Sequence, residues 1–409
     1  MRWGLLVVLG LVPFLAGSRV GAGAPALPGT LAYIHDNASY VARAAGGPAQ
    51  RLPKSGGAWV TLSPTSGIAL YFVAAGKEGA CRGYLSRPPY TKREALPAPL
   101  DRVSFPGVIW SPDGATAFVT TSTGNEGQTP GRKFSYSPAT GRVQSEPFAV
   151  ETASRNRQVT AWSGGQTITI HEAGKKTETV VFSSADPKPV LTALRNARHP
   201  DKLAYLTDAL KANEKEPNGW EVSSPALAPD GQALYFASNL GASQGASAMT
   251  TYCFFVVDVA RKKLTALSGL GEIDGLRMPL TCSVSPDGRK LLFVAIEHGS
   301  AVQNTRKLFV VDLTTQISRE LLTRSYGEWD SNFMAGMPCW SPDSRYIATD
   351  VLGYSINRTD YSIRLRKADV GRGKTREPTD NDYSVLIFDA STGRQVRRIP
   401  HAREPSWSR

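Results

Sequence analysis

Three histidine–acid pairs are the residues of this chain best suited to moving protons: His35-Asp36, His171-Glu172 and Glu297-His298. An imidazole titrates near neutral pH and a neighbouring carboxylate can orient it, so such pairs serve general acid–base chemistry or metal binding. A shared metal would need donors about 2 Å from the ion. The pairs fall in separate repeats (below), which puts them on the order of 15 Å apart at strand spacing. No metal site, cofactor or catalytic residue is therefore expected. Each pair is read as closing the second strand of its repeat, where it would face a ligand.

Two further stretches carry chemical potential. Gly241-Ala242-Ser243-Gln244-Gly245 matches the G-x-S-x-G nucleophile elbow, which needs a strand before it, a helix after it and a downstream acid and histidine. Here it lies in a Gly/Ser-rich stretch with no hydrolase-sized segment following, and it reads as a loop. The segment from Arg358 to Arg376 holds seven Lys or Arg. Within it Arg364, Arg366 and Lys367 are the candidate contacts to an anionic partner, set against Asp360 and Asp369 inside the segment and Glu377, Asp380 and Asp382 just after it.

Net charge is +12, and loss of Arg2 and Arg19 with a leader peptide would bring it to +10 (12 − 2). That balance suits an acidic protein or anionic polysaccharide. No basic stripe is interleaved with aromatics, so nucleic acid is not an expected partner. Residues 1–24 read as a signal peptide: Arg2 precedes an apolar run, Gly4 to Gly17, too short to span a bilayer, and small residues follow. The product is expected to be periplasmic or secreted, with residues 25–409 forming one domain, monomeric and without a transmembrane segment. Cys81, Cys253, Cys282 and Cys339 show no CxxC spacing. They read as buried free thiols, with Cys282–Cys339 the preferred pair if a disulfide forms.

The elements that would position these groups come from a repeat. Trp110-Ser111-Pro112-Asp113-Gly114, Leu227-Ala228-Pro229-Asp230-Gly231, Val284-Ser285-Pro286-Asp287-Gly288 and Trp340-Ser341-Pro342-Asp343-Ser344 each precede an apolar strand. Pro sets φ at the first turn position, Asp bonds back to the backbone and Gly accepts positive φ, so each copy is a tight turn between antiparallel strands. Degenerate copies are read at Leu62-Ser63-Pro64, Trp162-Ser163-Gly164-Gly165 and Pro405-Ser406-Trp407-Ser408. The Ser or Ala of each then falls at 63, 111, 163, 228, 285, 341 and 408, with gaps of 48 to 67 residues. Third strands ending in Asp258, Asp312 and Asp389 complete four-stranded units. Residues 31–53 read as strands two to four of a unit whose first strand is 405–408.

The expected fold is therefore an all-β propeller of seven four-stranded blades, or six if the unit at Trp162 is irregular, closed by the C-terminal strand. Trp110, Trp162, Trp340 and Trp407 would pack between blades. The sequons Asn37-Ala38-Ser39 and Asn357-Arg358-Thr359 are read as unused in a repeat of bacterial style. Two insertions are read onto one face: 195–221, with a short helix from Pro200 to Asn213 carrying Leu203, Leu206 and Leu210, and 353–383 with the basic cluster.

The turns and spacing resemble the repeats of TolB-type propellers, found also in the propeller domains of prolyl-oligopeptidase-class enzymes. The resemblance spans roughly 28–409 and implies periplasmic protein binding, without the α/β domain that precedes the TolB propeller. The function expected is a non-enzymatic binding or scaffold protein of the cell envelope working through its loop face. The alternative is a polysaccharide lyase or glycosidase with its active site on that face.

Overall fold

Alternating apolar runs punctuated by Pro, Asp and Gly fold as short antiparallel strands, because each run hides one side and each turn reverses the chain. The structure, a computed structural model, describes residues 27–409 apart from 76–79, 105–106, 122–131, 148–149, 165, 205, 208–221, 224, 239–242, 245–248, 251, 268–277, 299–302, 328–337 and 353–382. Seven blades are arranged in sequence order around one axis.

Blade one joins Arg403–Ser408 to Thr30–His35, Ala38–Arg43 and Gln50–Arg51. Blade two holds Gly57–Leu62, Ala69–Ala74, Ala80–Ser86 and an outer edge split between Glu94–Ala95 and Val103–Ser104. Blade three runs Gly107–Trp110, Ala117–Thr120, Lys133–Ser137 and Arg142–Ser145. Blade four runs Thr152–Ala153, Val159–Ser163, Thr167–Glu172 and Thr179–Ser183. Blade five runs Ala226–Leu227, Ala233–Ser238, Cys253–Asp258 and Lys263–Leu267. In blade six Met278–Val284 is followed by strands of 9, 10 and 11 residues, Lys290–His298, Gln303–Asp312 and Ile317–Gly327. Blade seven runs Cys339–Trp340, Tyr346–Leu352, Tyr383–Asp389 and Gln395–Pro400.

First strands line the axis. The turns between first and second strands therefore ring one mouth of the axial channel, and we call their side the turn face. The second-to-third and fourth-to-first connections lie opposite, on the loop face.

The seven-blade count holds, but the expected turn in blade four is displaced. Trp162-Ser163 belongs to a second strand, which pairs with Thr167–Glu172, the Gly164 amide bonding Thr167 O. The turn equivalent to Ser-Pro-Asp-Gly is Ser154-Arg155-Asn156-Arg157, with the Ser154 hydroxyl on the Asn156 amide oxygen at 2.9 Å. Blade four thus keeps the geometry while losing the residues that announce it.

The core lies between blades. Phe182, Phe236 and Phe255 cluster with centroids 4.9 to 5.7 Å apart across blades four and five. A helix, Pro187–Arg195, caps this cluster with Val190, Ala193 and Leu194. Asp186 accepts from the Lys188 amide, and proline is tolerated in a first helical turn because its missing N–H has no partner there. Where a helix is expected at 200–213, Pro200–Leu203 form a 3-10 turn and Ala204, Leu206 and Thr207 continue as α-helix, while 205 and 208–213 lie outside the described residues. Leu203 and Leu206 still enter the core, so the described part of this insertion wedges between blades; Leu210 lies outside the described residues.

Closure is set by the chain ends. Arg403–Ser408 pairs antiparallel with Thr30–His35, Trp407 Nε1 donates to Pro28 O at 2.7 Å, and Gly29 at φ 75° lies against Ser408. A Cβ at Gly29 would fall inside the Ser408 carbonyl oxygen. Deleting residues 400–409 should lower the melting temperature or cause aggregation by exposing the edge of Thr30–His35. Gly29→Ala should lower the transition too, whereas Gly107→Ala, whose Cβ meets nothing within 4 Å, should leave it in place. Differential scanning calorimetry of the three variants checks this, and an unchanged transition in the truncation refutes the closure.

Candidate functional site

The turn face is built from one hydrogen-bonded unit used repeatedly. In blades three, six and seven the serine hydroxyl donates to the following aspartate at 2.5 to 2.6 Å, and that carboxylate accepts the backbone amide two residues on. Adjacent turns are then tied together. Ser63 Oγ donates to Gly114 O, Arg157 Nη1 to Thr116 Oγ1, Arg155 N to Pro229 O, and the Asp287 amide to Ser344 Oγ. Arg155 Nη2 also reaches Pro286 O at 3.1 Å, from blade four past blade five to blade six. That span places its guanidinium at the axial mouth.

A second belt runs inside the ring, two residues before each turn serine. Ser406 Oγ accepts the Leu62 amide at 2.9 Å and Thr152 Oγ1 accepts the Leu227 amide at 3.0 Å, each from the next blade. Cys339 holds the same position, with the Trp407 amide against its sulfur. Burial pushes the Cys339 thiol up to about 12, partly offset by the Ala348 and Trp407 amides. Burial likewise pushes Cys282 up to about 12, against a hydrogen bond with Ser223. All four cysteines are free thiols. Cys282 stands three residues before its turn serine and Cys339 two, so their side chains leave opposite sides of their strands and the preferred disulfide does not form.

The tryptophans divide the same way. Trp340 bridges blades through Nε1 to Ser283 O at 3.3 Å, and Trp407 buries at the closure beside Tyr346. Trp162 belongs to a different position of its blade.

The histidine–acid pairs do not converge. His35 ends a second strand on the loop face, with Nδ1 2.7 Å from His401 O and Nε2 3.2 Å from Asp36. Asp36 and Asn37, at φ 47° and 52°, form the hairpin turn itself, a conformation Asp and Asn tolerate. His171, by contrast, lies on a third strand and so ends on the turn face. Its neighbour Glu172 pairs with Lys175 at 2.9 Å and with Lys262 of blade five at 2.6 Å. Hydrogen bonds from Lys262 and Lys175 hold the Glu172 carboxyl below the usual range. Glu297 and His298 end the second strand of blade six, where His298 pairs with Asn304. Arg364, Arg366 and Lys367 lie outside the described residues, as does most of 353–383.

The G-x-S-x-G stretch is no elbow. Ser243-Gln244 pairs with Met249-Thr250 as a small hairpin, while Gly241 and Gly245 lie outside the described residues. Sequence reading missed Glu178, whose carboxyl is pushed up by burial against His171 and Lys133, and it missed Arg155 and Arg157. Regular copies of the turn elsewhere are the signal that would have exposed the two arginines.

Aspartates also close the outer hairpins. Asp389 accepts the Ser391 and Thr392 amides, Asp312 those of Thr314 and Thr315, and Asp258 that of Arg261. Burial pushes Asp389 and Asp287 up, but their hydrogen bonds prevail and hold both low; Asp312 is held low chiefly by the Thr315 amide.

No family model matches the chain, and no curated protein matches its sequence. Solved structures do match. TolB from Acinetobacter baumannii is 13% identical over 93% of this chain and 67% of its own, with a TM-score of 0.45. The tricorn protease is 10% identical over 91% of this chain and 33% of its own, TM-score 0.52, and a prolyl endopeptidase is 11% identical over 92% and 50%, TM-score 0.49. Seven four-stranded blades with Ser-Pro-Asp-Gly turns and a closing C-terminal strand decide the matter. The chain is a seven-bladed β-propeller. It spans a third of the tricorn protease chain and half of the prolyl endopeptidase, and the likeness to the tricorn protease carries the fold and nothing beyond it.

Two measurements test this propeller scaffold. Thiol titration in denaturant without reductant should count four free thiols per chain, and the native protein should protect Cys282 and Cys339 at pH 8; a count of two would restore the disulfide. Carboxylates held low in the folded state stabilise it above their unfolded value near 3.9 and lose that contribution as pH falls through the folded values. Stability measured by denaturant titration should thus decline from about pH 5 downward. In Asp389→Ala it should be lower by about 1 to 2 kcal/mol at pH 7, with a shallower acid decline; an identical acid profile would remove Asp389 from the set.

Proposed function

We propose that the chain is a non-enzymatic binding or scaffold protein of the cell envelope, exported by its leader and presenting its loop face to a protein or an anionic polysaccharide. The observation that carries this reading is the dispersal of its reactive groups. His35 and His171 stand on opposite faces, and the histidine–acid pairs belong to blades one, four and six. Acid–base catalysis by a lyase or glycosidase needs two such groups within reach of one bond. A rigid ring with long connections between its strands suits recognition instead.

Two sequence features support an anionic partner and an extracytoplasmic site of action: the net charge of +12 and the leader-like segment 1–24. Among the described residues, no helix is long and apolar enough to cross a membrane. The basic segment, with Arg364, Arg366 and Lys367, would act chiefly on association rate, since peripheral charges steer encounter more than they hold a complex.

The test is capture from an envelope extract by the mature protein, followed by binding of the recovered partner at two salt concentrations. Arg364→Ser, Arg366→Ser and Lys367→Ser together should weaken binding more at low than at high salt, because a Debye length of about 8 Å near physiological ionic strength already suppresses surface attraction. Equal affinity of variant and parent at low salt would take this segment out of the interface. Turnover of a polysaccharide lost in His171→Ala and His298→Ala would favour the enzyme reading.

A further inference from the structure

Blade four departs from the repeat in its first turn. Its turn carries Arg155, Asn156 and Arg157 where blades three, five and six carry Pro, Asp and Gly. Arg157 occupies the left-handed position at φ 58°, matching Gly114, Gly231 and Gly288 at 69°, 76° and 75°. A non-glycine residue there, as also Ser344 of blade seven at φ 62°, is strained by roughly 1 to 2 kcal/mol. Local rules broken at a turn mark a candidate functional position.

The departure brings two guanidiniums to the turn face beside the axis. Each bonds a neutral oxygen, Arg155 to Pro286 O and Arg157 to Thr116 Oγ1; among the described residues, no carboxylate pairs with either. Arg155 and Asn156 line a pocket of about 550 Å³ with Pro229, Asp230, Pro286 and Asp287. Asn156 uses its amide oxygen to accept from Ser154 and Gln158, which leaves its NH₂ group to donate into the pocket. Asp230 uses one oxygen to accept the Gln232 amide.

The pocket thus offers a planar cationic fork and an amide donor on one wall, two carboxylates on another, and two proline rings as apolar flanks. The two aspartates repel polyanions, which excludes acidic polysaccharide and multiply charged phosphates. A carboxylate with a cationic group a few ångströms away satisfies both walls, and the volume suits one or two residues. We propose that this axial pocket binds the carboxyl terminus of a peptide ending in a basic residue, the carboxylate on Arg155 and the basic side chain toward Asp230 and Asp287. The site lies on the face opposite to the loops and goes beyond the function proposed above.

Calorimetric titration with acetyl-Ala-Lys as the free acid tests it, alongside the C-terminal amide and acetyl-Ala-Glu. The free acid should bind, and both controls should bind at least about tenfold more weakly, the scale of one charge-assisted hydrogen bond. Arg155→Gln keeps the backbone N–H that donates to Pro229 O and should lose about the same factor with an unchanged melting temperature. Asp230→Asn copies the arrangement of Asn156 and should lose the preference for acetyl-Ala-Lys over acetyl-Ala-norleucine while still preferring the free acid to the amide. No binding of the free acid, equal binding of acid and amide, or full affinity in Arg155→Gln would each overturn the proposal.

Discussion

Everything in this molecule depends on the pairing of its two ends. A blade is stable only while its inner strand is covered, and in blade one that strand comes from the far terminus, Arg403–Ser408 against Thr30–His35. Without it the ring would present an unpaired strand at its axis, the most hazardous place for a sheet edge. The residues at the seam show how little room the joint leaves: Gly29 lies on the Ser408 carbonyl, Trp407 is anchored to Pro28, and the Arg409 amide continues to Pro64 of the next blade.

The same logic of side chains reaching to the next blade runs around the ring. Ser406, Thr152 and Cys339 satisfy inner-strand amides that a twisted sheet cannot pair within its own blade. Buried amides left unpaired are expensive, so small polar residues at these positions are as much a part of the core as the stacked phenylalanines. The turn-to-turn bonds then fix the axial mouth, which is what holds Arg155 over the channel with a reproducible reach. The rigid part of the molecule is also the part that positions the candidate ligand groups, while the long connections occupy the other face.

How much of this could be read from the sequence follows from which residues did the turning. Where Pro112, Pro286 and Pro342 preset the backbone and Asp113, Asp287 and Asp343 cap it, the turn is written in residue types and the blades are legible. In blade four Asn156 does the work of the aspartate and Arg157 takes the left-handed position, so only geometry shows the equivalence. Trp162-Ser163-Gly164 imitates the signal a few residues on, and accepting it moved His171 to the wrong face. The helix at Pro187–Arg195 was hidden by its two prolines, which are breakers in a helix interior and acceptable in its first turn. Contacts between blades, such as Lys262 with Glu172, join residues 90 positions apart and leave no periodic trace.

The seam also dictates the order in which the chain can assemble. A blade built from consecutive strands closes loops of a few residues, whereas pairing Leu31 with Trp407 closes one of more than 370. The entropy of that closure grows with the logarithm of loop length and amounts to roughly 5 kcal/mol in excess of a minimal hairpin. Local blades therefore form early and the terminal strand docks last, after the others have brought its partner within reach. Until that moment the chain is an open arc with one unpaired inner edge, and the interval before docking is its period of greatest exposure to association with other copies.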